Sequence, residues 1–149
     1  MLRVRLKTWA TVFIANAAII LAPGASGHVN PIVGIQAECT LANPLLALTP
    51  VVQAGKPEQA LNYLVRVINT NAATCPKATF NLSHRLPAFF QGEIRPQTLE
   101  IMSGEIGMAT FTVTSPINAL PGDFTIRAIA TNAANTSYTG TVGGIWRLE

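Results

Sequence analysis

The sequence contains little charge. Asp, Glu, Lys and Arg make up 11% of its 149 residues, whereas an average soluble domain carries about 25%. This low fraction argues against a disordered tail, a highly charged coiled coil and a strongly basic nucleic-acid binder. The length corresponds to a single domain.

Residue types that carry catalysis are also scarce, with two histidines, one aspartate and no Gly-x-Ser-x-Gly motif. A hydrolase triad would need His84, Asp123 and a serine that no motif marks. Glu100 and Glu105 flank a turn that could bring two carboxylates together for glycoside hydrolysis, although solvated loop charges explain them more simply. No glycine-rich phosphate loop follows a strand pattern, and no basic cluster contains aromatics. We therefore predict no enzymatic activity, no cofactor and no nucleic-acid partner.

The excess positive charge lies at the N-terminus. Three basic residues occupy the first seven positions and precede an apolar run from residue 9 to residue 22. This layout is typical of a secretory signal peptide, and the run is shorter than the ~20 residues of a transmembrane helix. Small residues at Ala25 and Gly27 fit a cleavage site that would leave a mature chain beginning at His28. A buried N-terminal core helix is the alternative interpretation.

The sequence thus predicts three segments: a signal peptide at residues 1–27, a flexible leader at residues 28–38 and a β-sandwich domain at residues 39–149. After residue 27, seven basic residues balance seven acidic ones, so the mature chain is neutral. We expect a secreted or periplasmic protein that meets the membrane only through its signal peptide before cleavage.

Cys39 and Cys75 are the only cysteines of the chain. In an oxidising compartment, such a pair predicts one disulfide with no thiol left over. The alternatives are two buried free thiols or a pair of metal ligands, but the cysteines lack the close spacing of a zinc site. A bridge before the first strand differs from the immunoglobulin disulfide, which joins the two sheets through the core. We expect this one to hold the N-terminal segment to one end of the sandwich.

Hydrophobic residues alternate with polar ones from residue 41 onward, and Pro, Gly and Asn interrupt the pattern. Period-two alternation in short segments predicts an antiparallel, immunoglobulin-like β-sandwich of about seven or eight strands. The only place for helical structure is a turn near residues 57–61. The predicted strands are residues 45–49, 62–69, 79–83, 89–94, 99–101, 109–114, 124–131 and 137–148.

Several segments together resemble the NEW3-type immunoglobulin-like or fibronectin-III-like accessory modules of secreted bacterial proteins. The matching segments are Cys39-x4-Pro44, Gly55 followed by Tyr63-x-Val65-x-Val67-x-Asn69, Cys75-x4-Phe80-x-Leu82, Leu86-Pro87, Leu99-x-Ile101-x2-Gly104, Val113-x-Ser115-Pro116 and Pro121-Gly122-Asp123-Phe124-x-Ile126-x-Ala128. The resemblance runs from about Cys39 to the C-terminus. Two departures are Ser103-Gly104 in place of Pro-Gly, and Phe89 or Phe90 in place of a Trp after Leu86-Pro87.

This resemblance implies a non-enzymatic role and transfers no active site, because such modules carry no catalytic residues of their own. We expect a module for binding or spacing, with a secreted protein or a cell-surface glycan as its partner. The aromatic candidates for ligand contact are Phe89, Phe90, Tyr138 and Trp146, each of which could instead pack in the core. A structural subunit of a secreted or surface assembly is an alternative, because edge strands allow association.

A small exported copper-binding protein is another alternative. Cleavage after Gly27 would leave His28 with a free amino group beside its imidazole, and His84 could supply a second ligand. Otherwise His28 is simply a chain terminus and His84 a solvated loop residue.

Overall fold

The structure is a computed structural model, and it describes residues 38–149. The predicted signal peptide, His28 and all of the predicted leader except Glu38 lie outside the described residues. The described chain forms nine strands: β1 Leu45–Thr49, β2 Val52–Gly55, β3 Ala60–Ile68, β4 Ala78–Arg85, β5 Gln91–Arg95, β6 Thr98–Ile101, β7 Ile106–Thr114, β8 Gly122–Asn132 and β9 Thr139–Leu148. No helix in this part of the chain is long and apolar enough to span a membrane.

The nine strands form two sheets. One sheet has the order β1-β3-β7-β5, and the other has the order β2-β9-β8-β4-β6. Neighbouring strands are antiparallel except β2 and β9, which run parallel from the pair Val52 and Ile145 to the pair Gly55 and Leu148. The predicted all-β sandwich is confirmed, and its second sheet is mixed rather than purely antiparallel.

Side chains that alternate along the strands fill the space between the sheets. In β3, Tyr63, Val65 and Val67 are fully buried, whereas Asn62 and Arg66 face solvent. This burial removes apolar area from water, which is the main favourable contribution to folding. The largest fully buried side chains of the two sheets are Tyr63, Phe80, Phe111, Ile126 and Trp146.

The strand β2 was not predicted, and it is the one strand in addition to the eight whose ranges were predicted. It contains four residues, too few for a clear alternation. Its partner β9 lies about 90 positions later, so no local pattern indicates the pairing. Residues 57–61, the one place where helical structure was expected, form no helix: residues 57 and 58 are a turn with Glu58 at φ +61°, and β3 begins at Ala60.

The disulfide joins Cys39 to Cys75, as predicted, with Cα atoms 4.6 Å apart. Cys39 lies before β1, and Cys75 lies in the loop between β3 and β4. The backbone N–H of Ala72 donates to the carbonyl of Thr40 at 2.9 Å, so the same loop also holds the N-terminal segment by a backbone hydrogen bond. We call this the disulfide end of the sandwich.

Candidate functional site

An apolar groove lies at the end of the sandwich opposite the disulfide end. Two loops form it, residues 86–90 between β4 and β5 and residues 115–121 between β7 and β8. The groove has a volume of about 390 Å³. Its lining residues are Ala88, Phe89, Phe90, Pro116, Asn118, Ala119, Leu120 and Phe124.

Phe89 projects from this groove into solvent. Its side chain is 87% exposed, although phenylalanine is usually buried. Its backbone has φ +68°, in the left-handed region that bulky residues rarely occupy. Such a conformation costs on the order of 1–3 kcal/mol and is concentrated at functional sites. Neither packing nor backbone preference explains an exposed aromatic residue here.

Phe90 anchors the same loop to the core. Its ring lies 4.9 Å from the ring of Phe124 and 5.5 Å from that of Trp146, with an edge-on angle of 84° to Trp146. Tilted and edge-on arrangements at these distances are favourable for aromatic pairs. The loop is also closed by a hydrogen bond from the N–H of Phe90 to the carbonyl of Pro87, at 3.3 Å. The contacts of Phe90 therefore fix the loop at residues 86–90, and this loop holds Phe89 at the surface.

The facing loop carries two more exposed apolar side chains, of which Leu120 lines the groove. Leu120 is 78% exposed and Ile117 is 69% exposed. Of the residues that line the groove, only Asn118 has a polar side chain. A contiguous apolar surface of this kind is typical of a place where another molecule binds.

The four aromatic residues predicted for ligand contact do not form one site. Phe89 and Phe90 lie together at the groove, where Phe89 is exposed and Phe90 is partly buried. Trp146 is fully buried behind Phe90, so it has no surface for stacking on a ligand. Tyr138 is half-buried in the loop between β8 and β9, near the disulfide end.

Leu120 was not among the predicted site residues. The segment Leu120-Pro121-Gly122-Asp123 is typical of a turn, and an aliphatic residue within a turn carries no signal of exposure in the sequence. The structure brings it to the groove because β7 and β8 lie in different sheets and their connecting loop crosses the end of the sandwich.

His84 lies on β4 rather than in a loop, and it is half-buried. Its ring stacks on that of Phe111 in the other sheet, with centroids 5.5 Å apart and planes at 17°. Within residues 38–149, no group of three or more His, Cys, Asp and Glu side chains could hold a metal ion. The copper hypothesis also needs His28, which lies outside the described residues.

The acidic residues considered for catalysis include two that form surface ion pairs. The Nε and Nη2 groups of Arg147 donate to the two carboxylate oxygens of Asp123, at 2.8 and 2.9 Å. These hydrogen bonds and the positive charge of Arg147 lower the pKa of Asp123 from its ordinary value. Glu100 forms an ion pair with Lys77. The ion pair with Arg147 keeps the carboxyl group of Asp123 in its charged form. This pairing gives Asp123 a structural role, so its presence does not require a catalytic one.

Neither a protein-family model nor a curated protein matches the chain. Among solved structures, the chain is similar to a FixG-related protein from Vibrio parahaemolyticus, at 16% identity and a TM-score of 0.56, over 73% of this chain and 99% of that one. It is also similar to part of a family 123 glycoside hydrolase from Clostridium perfringens, at 12% identity and a TM-score of 0.51, over 66% of this chain and 22% of that one.

A third similar structure is the periplasmic chaperone SfaE, at 12% identity and a TM-score of 0.45, over 70% of this chain and 56% of that one. At these identities the similarities concern the fold. The similarities to the FixG-related protein and to the glycoside hydrolase support the immunoglobulin-like β-sandwich fold, whereas the more specific resemblance to NEW3-type modules stays a prediction. The chain is an immunoglobulin-like β-sandwich protein with one disulfide and an apolar groove at one end.

Proposed function

We propose that the chain is an extracytoplasmic, non-catalytic binding module whose partner is a protein that docks on the apolar groove. The observation that carries this proposal is Phe89, an aromatic side chain that is 87% exposed on a backbone of positive φ. Neither the exposure of the ring nor the positive φ of Phe89 stabilises the fold. An exposed aromatic residue is a typical anchor in protein interfaces. This role agrees with the accessory-module resemblance.

The chemistry of the groove favours a protein over a glycan. A sugar presents many hydroxyl groups, and specific recognition needs several polar groups around an aromatic platform. The groove offers Asn118 as its single polar side chain, beside Pro116, Ala119 and Leu120. An apolar side chain from a partner protein matches such a lining, with Phe89 and Leu120 contacting its flanks.

The disulfide supports a location outside the cytoplasm. Cys39 and Cys75 are bonded, and the described chain has no free cysteine. Structural disulfides persist in oxidising compartments and are rare in reducing ones. The predicted signal peptide agrees with this location.

A site-specific crosslinking experiment tests the proposal. A photoreactive phenylalanine analogue replaces Phe89 in the chain expressed in its host cell. The matched control carries the analogue at Arg66, which is exposed on β3 of the four-stranded sheet and does not line the groove. We expect a discrete protein adduct from position 89, no such adduct from position 66, and loss of the adduct in a Leu120→Ser background.

Two outcomes would overturn the proposal. One is a set of adducts that is the same from positions 89 and 66, because the groove would then have no specific partner. The other is sedimentation of the protein with purified cell-wall polysaccharide that is abolished by Phe89→Ala, since the partner of the groove would then be a glycan.

A further inference from the structure

Two arginines lie opposite each other on the solvent-facing side of the five-stranded sheet. The antiparallel register of β4 and β8 pairs Arg85 with Arg127. Both side chains are exposed, while the neighbouring Ala128 faces the core. Directly opposed residues of an antiparallel pair have Cβ atoms about 5 Å apart, so the two arginine side chains leave the sheet from neighbouring points on one face.

Like charges in directly opposed positions destabilise a sheet. Every acidic residue of the chain lies within residues 38–149. In that range the ion pairs are Lys77–Glu100, Arg95–Glu93 and Arg147–Asp123, so no carboxylate compensates Arg85 or Arg127. The stability of the fold therefore does not account for this pair.

A shallow groove connects the two arginines. It has a volume of about 250 Å³ and is lined by Arg85, Leu86, Pro87, Thr125 and Arg127. Thr125 lies two residues before Arg127 on the same strand, so it faces the same side of the sheet and adds a hydroxyl group. No acidic side chain lines the groove, and Leu86 with Pro87 forms an apolar wall.

Gly143 leaves the other side of Arg127 open. It pairs with Arg127 in the register of β8 and β9. A Cβ atom added there would meet only the carbonyl oxygen of Ile126, at 3.8 Å, which is an ordinary contact. Packing therefore does not require glycine at this position, and its lack of a side chain keeps access to the guanidinium of Arg127 free.

We propose that Arg85 and Arg127 bind a tetrahedral oxyanion, a phosphate or sulfate group, with Thr125 as a hydrogen-bond donor. The planar fork of each guanidinium donates two parallel hydrogen bonds to such oxygens, and two positive charges match one dianion. An exposed site of this kind binds modestly, and salt weakens it by screening. The inference does not depend on the proposed function, because Phe89 takes no part in this groove.

The first test measures anion binding by the exported chain in a low-salt, phosphate-free buffer. Inorganic phosphate and sulfate are titrated by calorimetry and by NMR of the arginine side-chain N–H groups. We expect saturable binding with shifts confined to Arg85 and Arg127. Arg85→Gln and Arg127→Gln should each weaken binding about tenfold through loss of one charged bidentate contact.

Three further variants make the test specific. Arg66→Gln removes an exposed arginine that lies on the other sheet, and Phe89→Ala alters the apolar groove, so both should bind the anions as the unaltered protein does. Gly143→Glu places a carboxylate opposite Arg127 and should weaken binding by competing with the anion. The unfolding midpoints of Arg85→Gln and Arg127→Gln should be unchanged or higher, because a like-charge pair is removed.

A vesicle experiment distinguishes the source of the anion. Cosedimentation with phosphatidylglycerol vesicles but not with phosphatidylcholine vesicles, abolished by Arg85→Gln, would support the site and identify a lipid headgroup. Binding of inorganic phosphate or sulfate without vesicle binding would support the site with a free anion. The proposal is overturned if neither occurs, if Arg66→Gln weakens binding as much as Arg85→Gln, or if either glutamine variant lowers the unfolding midpoint substantially.

Discussion

Phe89 and Phe90 are adjacent in the chain, yet one is 87% exposed and the other packs edge-on against the buried Trp146. The positive φ of Phe89 turns the chain between them, so that their side chains point in different directions. This relationship predicts opposite consequences for two substitutions of the same residue type.

Phe89→Asn should leave the free energy of unfolding unchanged or raise it by up to about 1 kcal/mol, because asparagine adopts positive φ more readily than phenylalanine. Phe90→Ala should lower it by about 2 kcal/mol or more through the lost contacts with Phe124 and Trp146. Urea unfolding of both variants measures the difference. A loss above 1 kcal/mol in Phe89→Asn would show that the exposed ring stabilises the fold.

The buried hydroxyl of Tyr63 predicts an alkaline loss of stability. It donates to the carbonyl of Ile145 at 3.3 Å, and burial raises the pKa of Tyr63 to about 12. In the unfolded chain the phenol ionises near pH 10, so alkaline pH favours the unfolded state until the folded protein also ionises. We expect full stability from this group below pH 10 and a fall of at least about 1 kcal/mol between pH 9 and pH 11.5.

The control for this prediction is Tyr63→Phe, in which the group that titrates is absent. Its free energy of unfolding should depend less on pH over the same range than that of the unaltered protein. Parallel curves for the two proteins would show that other groups cause the alkaline change.

Loss of the disulfide should weaken the fold without abolishing it. The bridge spans 36 positions, and the chain-entropy model predicts a contribution of about 4 kcal/mol for a loop of this length. The double variant Cys39→Ala/Cys75→Ala should unfold at lower urea concentration and keep the circular dichroism of a β protein, since the core lies between the sheets. A reducing agent should shift the unaltered protein similarly and leave the variant unchanged.

Two glycines on β9 offer a matched pair. A Cβ atom at Gly140 would overlap the carbonyl oxygen of Pro44, which is backbone and cannot rotate away, whereas a Cβ atom at Gly143 meets only the carbonyl oxygen of Ile126, at an ordinary contact distance of 3.8 Å. Gly140→Ala should therefore lower the free energy of unfolding by about 1–3 kcal/mol, as overpacking does. Gly143→Ala should leave it unchanged or slightly higher. Equal losses in both variants would instead indicate a general cost of substitution in β9.

Each of the eight predicted strands overlaps a strand of the structure, and β1 agrees at both ends. The predicted strand boundaries are wrong where the alternation of apolar and polar residues does not reflect burial. Ile106 and Met108 are apolar but exposed, so the start of β7 does not read as a half-buried strand. The predicted strand at residues 89–94 begins only at Gln91, because Phe89 adopts positive φ.

The candidate site was predictable only in part. Phe89 and Phe90 were identified as aromatics that could contact a ligand, but nothing local distinguishes the exposed ring from the anchored one. Arg85 and Arg127 are separated by 42 positions, and only the register of β4 with β8 makes them neighbours. Leu120 joins Phe89 because two loops meet at one end of the sandwich.

Local chemistry in the chain was enough to predict the all-β class, the inward faces of most strands and the bond between its two cysteines, because side chains alternate with a period of two and a lone cysteine pair has one partner choice. The parallel pairing of β2 with β9, the opposed arginines and the apolar groove came from the folded arrangement. Those features depend on register and on loop contacts between residues far apart in sequence, which local alternation does not encode.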